Sequence, residues 1–259
     1  MQITLFQGLL VSVVTAIISI DSHLEGFFWF RPIIVAPVTG LILGDLHTGL
    51  IAGGYLELIF AGLNGVGGTI PPDSIMAAVM TVVLAKTTNL SVEAAVASGY
   101  GFGLLMQAIS TLVLTGFLAF NKPADNYAAK ADIKGITRLC WIGIIIGALQ
   151  YGILTFLSVY AAQDAMRNFA EILEVNYAWV LDGFSIAGGL LPAIGFAMLL
   201  KVMLKVQYFP YLLAGFLFST FIPYDNILPV ALMGVAFAMM SFFNDGEAKG
   251  GAVYDEEGI

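Results

Sequence analysis

Two long apolar runs leave this chain little freedom in what it can become. Ala94 to Phe120 and Leu139 to Ala161 pass without a charged side chain. Each is as long as the roughly 20 residues an α-helix needs to cross the hydrocarbon core, or longer. Within lipid only helices and closed barrels satisfy their own backbone. The continuous runs lack the alternating segments of about ten residues that mark a barrel. Composition agrees: 59% of the 259 residues are hydrophobic and 11% charged, with a mean hydropathy of +0.92. A soluble domain carries about a quarter charged residues. The expected fold is an all-α polytopic membrane protein.

Further apolar runs are Ile3 to Ile20, Pro32 to Leu50, Ile75 to Ala85, Phe184 to Leu200, Tyr208 to Phe221 and Ile227 to Phe243. The first lacks a basic leader and a small-residue cleavage site, so it reads as a retained helix. Several runs are short of a full crossing and read as half-helices, tilted helices or segments buried in an assembly. One membrane domain over residues 1–243 and a polar cytoplasmic tail over 244–259 are expected. The break Asn121 to Arg138 carries Lys122, Lys130, Lys134 and Arg138 against Asp125 and Asp132, which places it in the cytoplasm. The break Ala162 to Asp182 has Arg167 against four carboxylates and falls outside, one span later. The net charge of −8 owes part of its size to the tail "DEEGI". The bilayer is the expected surface, and nucleic acid is not an expected partner.

Against this background the stretch "IAGGYLELIFAGLNGVGGTIPPD", Ile51 to Asp73, is out of place. It puts two carboxylates, six glycines and two prolines where lipid tolerates few. Glu57 is a functional candidate because a carboxylate at membrane depth costs several kcal/mol unless paired, protonated or facing a polar cavity. Asp73 follows Pro71-Pro72 and is equally suited to capping a helix that starts at Ser74. Asn64 and the bare glycine backbone add donors and acceptors, and irregular backbone at this depth must be buried by protein or line water. Carboxylate, amide and free backbone together make a pocket for a hydroxyl-rich ligand. A weak internal repeat accompanies it: "IAGGYLELIFAG" from Ile51 is echoed by "IAGGLLPAIGFA" from Ile186, each placing a glycine pair ahead of a break. Paired glycine- and proline-interrupted segments point to a transporter's substrate site, although glycine in tight helix packing yields the same echo.

Other signals are bland. "ASGYGFG", Ala97 to Gly103, contains the GYG of a potassium-channel filter but not its Thr-Val, and runs on into Leu104-Leu105; a glycine-lined helix contact is the better reading. His23 and His47 are the only histidines and stand in no metal-binding spacing; His23, between Asp21 and Glu25, reads as solvated. The single Cys140 excludes an intrachain disulfide. Without a phosphate-cradling or dinucleotide motif, no cofactor is expected and ATP-driven transport is not encoded here. Arg31-Pro32, after the aromatic run "GFFWF", reads as an interfacial anchor leading into a helix.

From Arg31 to Asp73, "RPIIVAPVTGLILGDLHTGLIAGGYLELIFAGLNGVGG…PPD" resembles the IIC permease subunit of the mannose/sorbose family of bacterial phosphotransferase systems. The likeness extends over essentially the whole chain, through "GFSIAGGLLPAIGFAMLL" and "YFPYLLAGFLF", where it is most similar to the N-acetylgalactosamine/galactosamine branch. The resemblance implies a sugar-translocating subunit of the bacterial inner membrane that is not itself an enzyme. It implies an obligate IID membrane partner and cytoplasmic IIA and IIB proteins, whose histidines pass phosphate to an incoming hexosamine. It further implies a trimer of IIC–IID pairs with an elevator-like core, and glycine-broken re-entrant segments among the transmembrane helices. Carried over by position, its substrate-binding region matches Gln7, Glu57, Asn64 and Asp73. The competing class is an ion-coupled secondary sugar transporter using Glu57 or Asp73.

Overall fold

The computed structural model describes residues 2–63, 70–88, 90–221 and 228–250. Among them the regular structure is entirely helical, as expected. Two units divide the chain, Met1–Leu200 and Lys201–Ile259.

The first unit contains α1 (Leu5–Leu24), α2 (Pro32–Leu43), α3 (Leu46–Phe60), α4 (Ser74–Thr87) and α5 (Val92–Gly116). After a tight 3-10 turn it continues with α6 (Asn121–Ala129), α7 (Ile133–Phe156), α8 (Gln163–Asn176) and α9 (Ala178–Met203), the last ending just past the unit boundary. The second unit holds α10 (Phe209–Phe221) and α11 (Leu228–Gly250). Among the described residues four helical stretches are long and apolar enough to cross a membrane: Leu5–Leu24, Val92–Ala129, Ile133–Ala161 and Ala178–Met203.

The apolar run Pro32 to Leu50 is not one helix. Gly44, at φ +75°, ends α2 in the left-handed region that glycine enters freely. Asp45 then starts α3 by accepting from Thr48 N at 3.2 Å. The two helices fold back on each other through small residues. An ideal Cβ on Gly49 would lie 2.7 Å from Ala36 O, and one on Gly40 2.6 Å from Asp45 O. At 12 and 15 residues neither helix reaches across a bilayer alone, and the pair forms a helical hairpin.

The hairpin and α5 pack on α4. Every residue from Ile75 to Leu84 is buried, as a helix apolar on all sides requires. The shielding expected from an assembly is therefore supplied, for this short run, by the chain itself. Alpha-helices α1 and α7 form a second layer against each other, with Gly152 of α7 fitting over Ala16 and Ser12.

One expectation changes, and two segments gain definition. Pro192 does not interrupt its segment, because α9 runs through it. The second arm of the sequence echo is therefore a continuous helix, whereas the first ends at Phe60. The acidic break after Ala161 is largely the helix α8. Finally α11 continues to Gly250, beyond the expected start of the polar tail at 244, and residues 251–259 lie outside the described residues.

Candidate functional site

The first unit contains a cleft of about 520 Å³. It lies where the turn after α1, the starts of α2 and α4 and the middles of α5 and α7 converge. Its polar lining includes Asp73, Gln107, Ser110 and Tyr151; Phe28, Phe30 and Arg31 line it too.

Asp73 caps α4, accepting from Met76 N at 2.6 Å. Its other oxygen accepts from the Tyr151 hydroxyl of α7. The sequence offered capping and ligand contact as alternatives, and the structure gives Asp73 the cap together with a place in the cleft wall. Its own backbone N–H donates to Gly103 O at 3.0 Å. That approach needs glycine, since an ideal Cβ on Gly103 would lie 2.7 Å from Asp73 O. Gln107 donates to Ile70 O, and Gln150 donates to Ser110 at 3.1 Å. The region is thus a hydrogen-bonded lattice of side chains from three helices with carboxylate and hydroxyl lone pairs left over.

Glu57 is not a lone carboxylate. Arg31 Nε donates to its Oε1 at 2.8 Å, the guanidinium Nη2 bonds the same oxygen, and Ile33 N donates to Oε2 at 3.2 Å. Arg31 lines the cleft and Glu57 is its counter-ion, while the second carboxylate oxygen serves an orphan N–H at the start of α2. The expected interfacial anchor, Arg31, is half of this pair. No arginine–glutamate spacing in the sequence announces it, because the partners come from different helices.

Gln7 completes a capping box with Thr4 at the start of α1 and donates to Ile42 O at 3.3 Å. Asn64 lies outside the described residues. Of the four residues expected at the site, Asp73 lines the cleft, Glu57 pairs with a residue that does, and Gln7 tethers α1 to the end of α2.

Residues 5–240 match the family described as the PTS system sorbose-specific IIC component. The chain belongs to that family. It is 46% identical over 243 residues to N-acetylgalactosamine permease IIC component 1 of Escherichia coli (strain K12), covering 94% of this chain and 90% of that protein. To the sorbose-specific EIIC component of Lacticaseibacillus casei it is 29% identical over 242 residues, covering 93% and 86%. Among solved structures, one titled "Structure of membrane protein" superposes with a TM-score of 0.80 at 27% identity, over 93% of this chain and 96% of that one. The mannose transporter ManYZ in complex with microcin E492 gives a TM-score of 0.57 at 26% identity, with the same coverage.

This IIC subunit is a multi-pass protein of the bacterial cytoplasmic membrane and translocates sugar for a phosphotransferase system. It is a permease component, not the catalytic one. Membership decides against the ion-coupled alternative.

Sequence reasoning missed Asp21 and Tyr151. Asp21, in the last turn of α1, is 4% exposed and accepts from Phe27 N at 2.8 Å and Trp29 N at 2.6 Å. Its neighbour His23 is exposed, as expected, with its ring over Gly147 and Nδ1 2.7 Å from Ser19 O. The one sequence signal for Asp21 was an acidic residue just ahead of a glycine turn. For Tyr151, inside an apolar run, there was none.

A second cavity, of about 440 Å³, lies in the Lys201–Ile259 unit between α10 and α11. Tyr211, Phe237 and Met233 line it, and none of its described lining residues is charged.

Proposed function

We propose that this IIC subunit imports an amino sugar of the N-acetylgalactosamine type through the cleft at Asp73. The observation that carries the reading is the cleft itself. A half-buried, helix-capping carboxylate, a phenol and an amide meet in a glycine-permitted gap beside apolar helices. Neutral, hydroxyl-rich ligands need acceptors and donors without net charge transfer, and this lattice has both. The 46% identity to an N-acetylgalactosamine permease component supports the choice of sugar.

In this reading Asn64 and Asp73 belong to the substrate-binding region, Glu57 acts on it through Arg31, and Gln7 acts through its tether of α1 to the end of α2. The working unit is a trimer of pairs, each pair made of this chain and a IID membrane subunit. Cytoplasmic IIA and IIB proteins bring phosphate to the arriving sugar, and the hairpin and α4 belong to an elevator-like moving core. The exposed apolar side chains of α9, α10 and α11, among them Trp179, Ile186, Phe216 and Phe242, suit a chain that works among membrane partners. Vesicles carrying the full system should accumulate phosphorylated N-acetylgalactosamine only with phosphoenolpyruvate and all components. Uptake by this chain alone would overturn the assembly, and stronger competition by mannose or fructose than by galactosamine would overturn the sugar.

A further inference from the structure

The turn between α1 and α2 is built more firmly than a connecting loop needs to be. Buried Asp21 spends both carboxylate oxygens on backbone N–H groups of the turn, those of Phe27 and Trp29. Glu25 N donates to Asp21 O at 2.7 Å, and Arg31 N to Phe28 O at 3.2 Å. Two non-glycine residues, Glu25 at φ 48° and Phe28 at φ 59°, are held in the left-handed region. Such conformations persist where surroundings over-determine them, and they gather at ligand clamps. The aromatic side chains then sort by position. Phe27 and Trp29 stack on each other, with centroids 5.1 Å apart. Phe28 and Phe30, tilted at 40° with centroids 5.6 Å apart, line the cleft that holds Asp73. Phe28 is nonetheless 53% exposed.

We propose that Phe28 and Phe30 are an aromatic platform for the C–H face of the sugar ring, and that Asp21 is the residue positioning it. The proposal rests on the reading of the Asp73 cleft as the sugar site. An aromatic face is electron-rich and attracts the polarised C–H bonds of a pyranose. In a galacto-configured ring the axial hydroxyl on C4 gathers the hydrogens of C3, C4 and C5 on one side into an apolar patch. The equatorial hydroxyl of gluco and manno rings breaks that patch up. Asp73, Gln107 and Ser110 supply polar groups to the same cleft, so the site would read both the hydroxyls and the bare face. Phe28 and Phe30 are then specificity residues, beyond those that bind hydroxyls.

The test uses vesicles with the complete phosphotransferase system and reads phosphoenolpyruvate-dependent uptake of labelled N-acetylgalactosamine, with N-acetylmannosamine as competitor. Replacing both rings, Phe28→Leu with Phe30→Leu, should raise the half-saturating concentration of the galacto sugar roughly three- to tenfold. The manno competitor should change less than about twofold on the same argument, so the selectivity ratio falls while the amount of inserted protein is unchanged. Asp21→Asn, which keeps one good acceptor of two, should move the ratio the same way. If the leucine pair fails to insert, the single changes Phe28→Met and Phe30→Met remove the π face at similar volume and carry the same expectation. An unchanged ratio in variants that insert overturns the platform and leaves the rings as lipid-facing anchors, provided Asp73→Asn still weakens uptake. If Asp73→Asn has no effect, the cleft reading itself falls and the platform with it.

Discussion

Arg31 and Glu57, twenty-six positions apart, form an ion pair that joins the start of α2 to α3, with Arg31 on the cleft and both side chains about a quarter exposed. At that exposure, breaking the pair costs less than a fully buried one, about 1–2 kcal/mol. Glu57→Gln and Arg31→Gln should each lower the thermal midpoint of the purified complex, and the double variant should regain most of the loss. Uptake should stay low in the double variant, because Arg31 lines the cleft. Uptake that returns together with stability would mark the pair as structural alone.

Tyr151→Phe removes one hydroxyl and keeps the ring. Asp73 retains its bond from Met76 N but loses the donor on its second oxygen. Hydrogen bonds to charged groups contribute about 1.5–3 kcal/mol, and a part of that expressed in binding weakens sugar affinity about tenfold. Titration calorimetry on the detergent-solubilised complex measures it. Wild-type affinity in the phenylalanine variant would show that Asp73 needs no positioning from α7.

The GYG stretch separates two kinds of glycine. An ideal Cβ on Gly99 would lie 2.0 Å from Thr81 Oγ1 and 2.8 Å from Ala77 O, whereas one on Gly101 meets nothing within 4 Å. Gly99→Ala should destabilise by about 1–3 kcal/mol through overpacking. Gly101→Ala should be neutral or stabilise by up to about 1 kcal/mol through helix propensity. Thermal unfolding of the two variants side by side decides it, and equal behaviour would contradict the packing account.

Phosphate should never reside on this chain. Among the described residues neither histidine has a carboxylate partner: His23 is turned to the backbone carbonyl of Ser19, and His47 is exposed in the first turn of α3. A chain with His23→Gln and His47→Gln should keep most of its phosphoenolpyruvate-driven uptake. Radiolabelled phosphate recovered on the purified subunit would be the contrary result.

The charge asymmetry between the breaks predicts their sides. Asn121 to Arg138 should be cytoplasmic and the α8 region external. Gln163 is a poor labelling position, because its side chain bonds the backbone of Ile3 in both directions. In a Cys140→Ser background, cysteine at exposed Asp164 should react with an impermeant reagent from outside, and cysteine at Asn126 should not. The reverse pattern would invert the topology.

Much of this could be read before any fold was known. Long uncharged runs dictate helices because lipid offers the backbone no other partner. Glycine, proline and two carboxylates in one short stretch dictate a polar exception, and Asp73 was legible as a helix cap. These are local properties, set by residue type and spacing.

What only tertiary structure decided is pairing across sequence distance. Glu57 reads as isolated until α2 and α3 fold back and bring Arg31 to it. Tyr151 is one aromatic residue in an apolar run until α7 lies beside the start of α4. Ile75 to Ala85 looks too short to cross the membrane, and its residues Ile75 to Leu84 become core only when the hairpin and α5 enclose them. Asp21 seems a surface acid until the turn closes over it. The physical reason is common to all four. A side chain's cost at membrane depth depends on what neutralises or covers it, and in this chain those partners come from other helices.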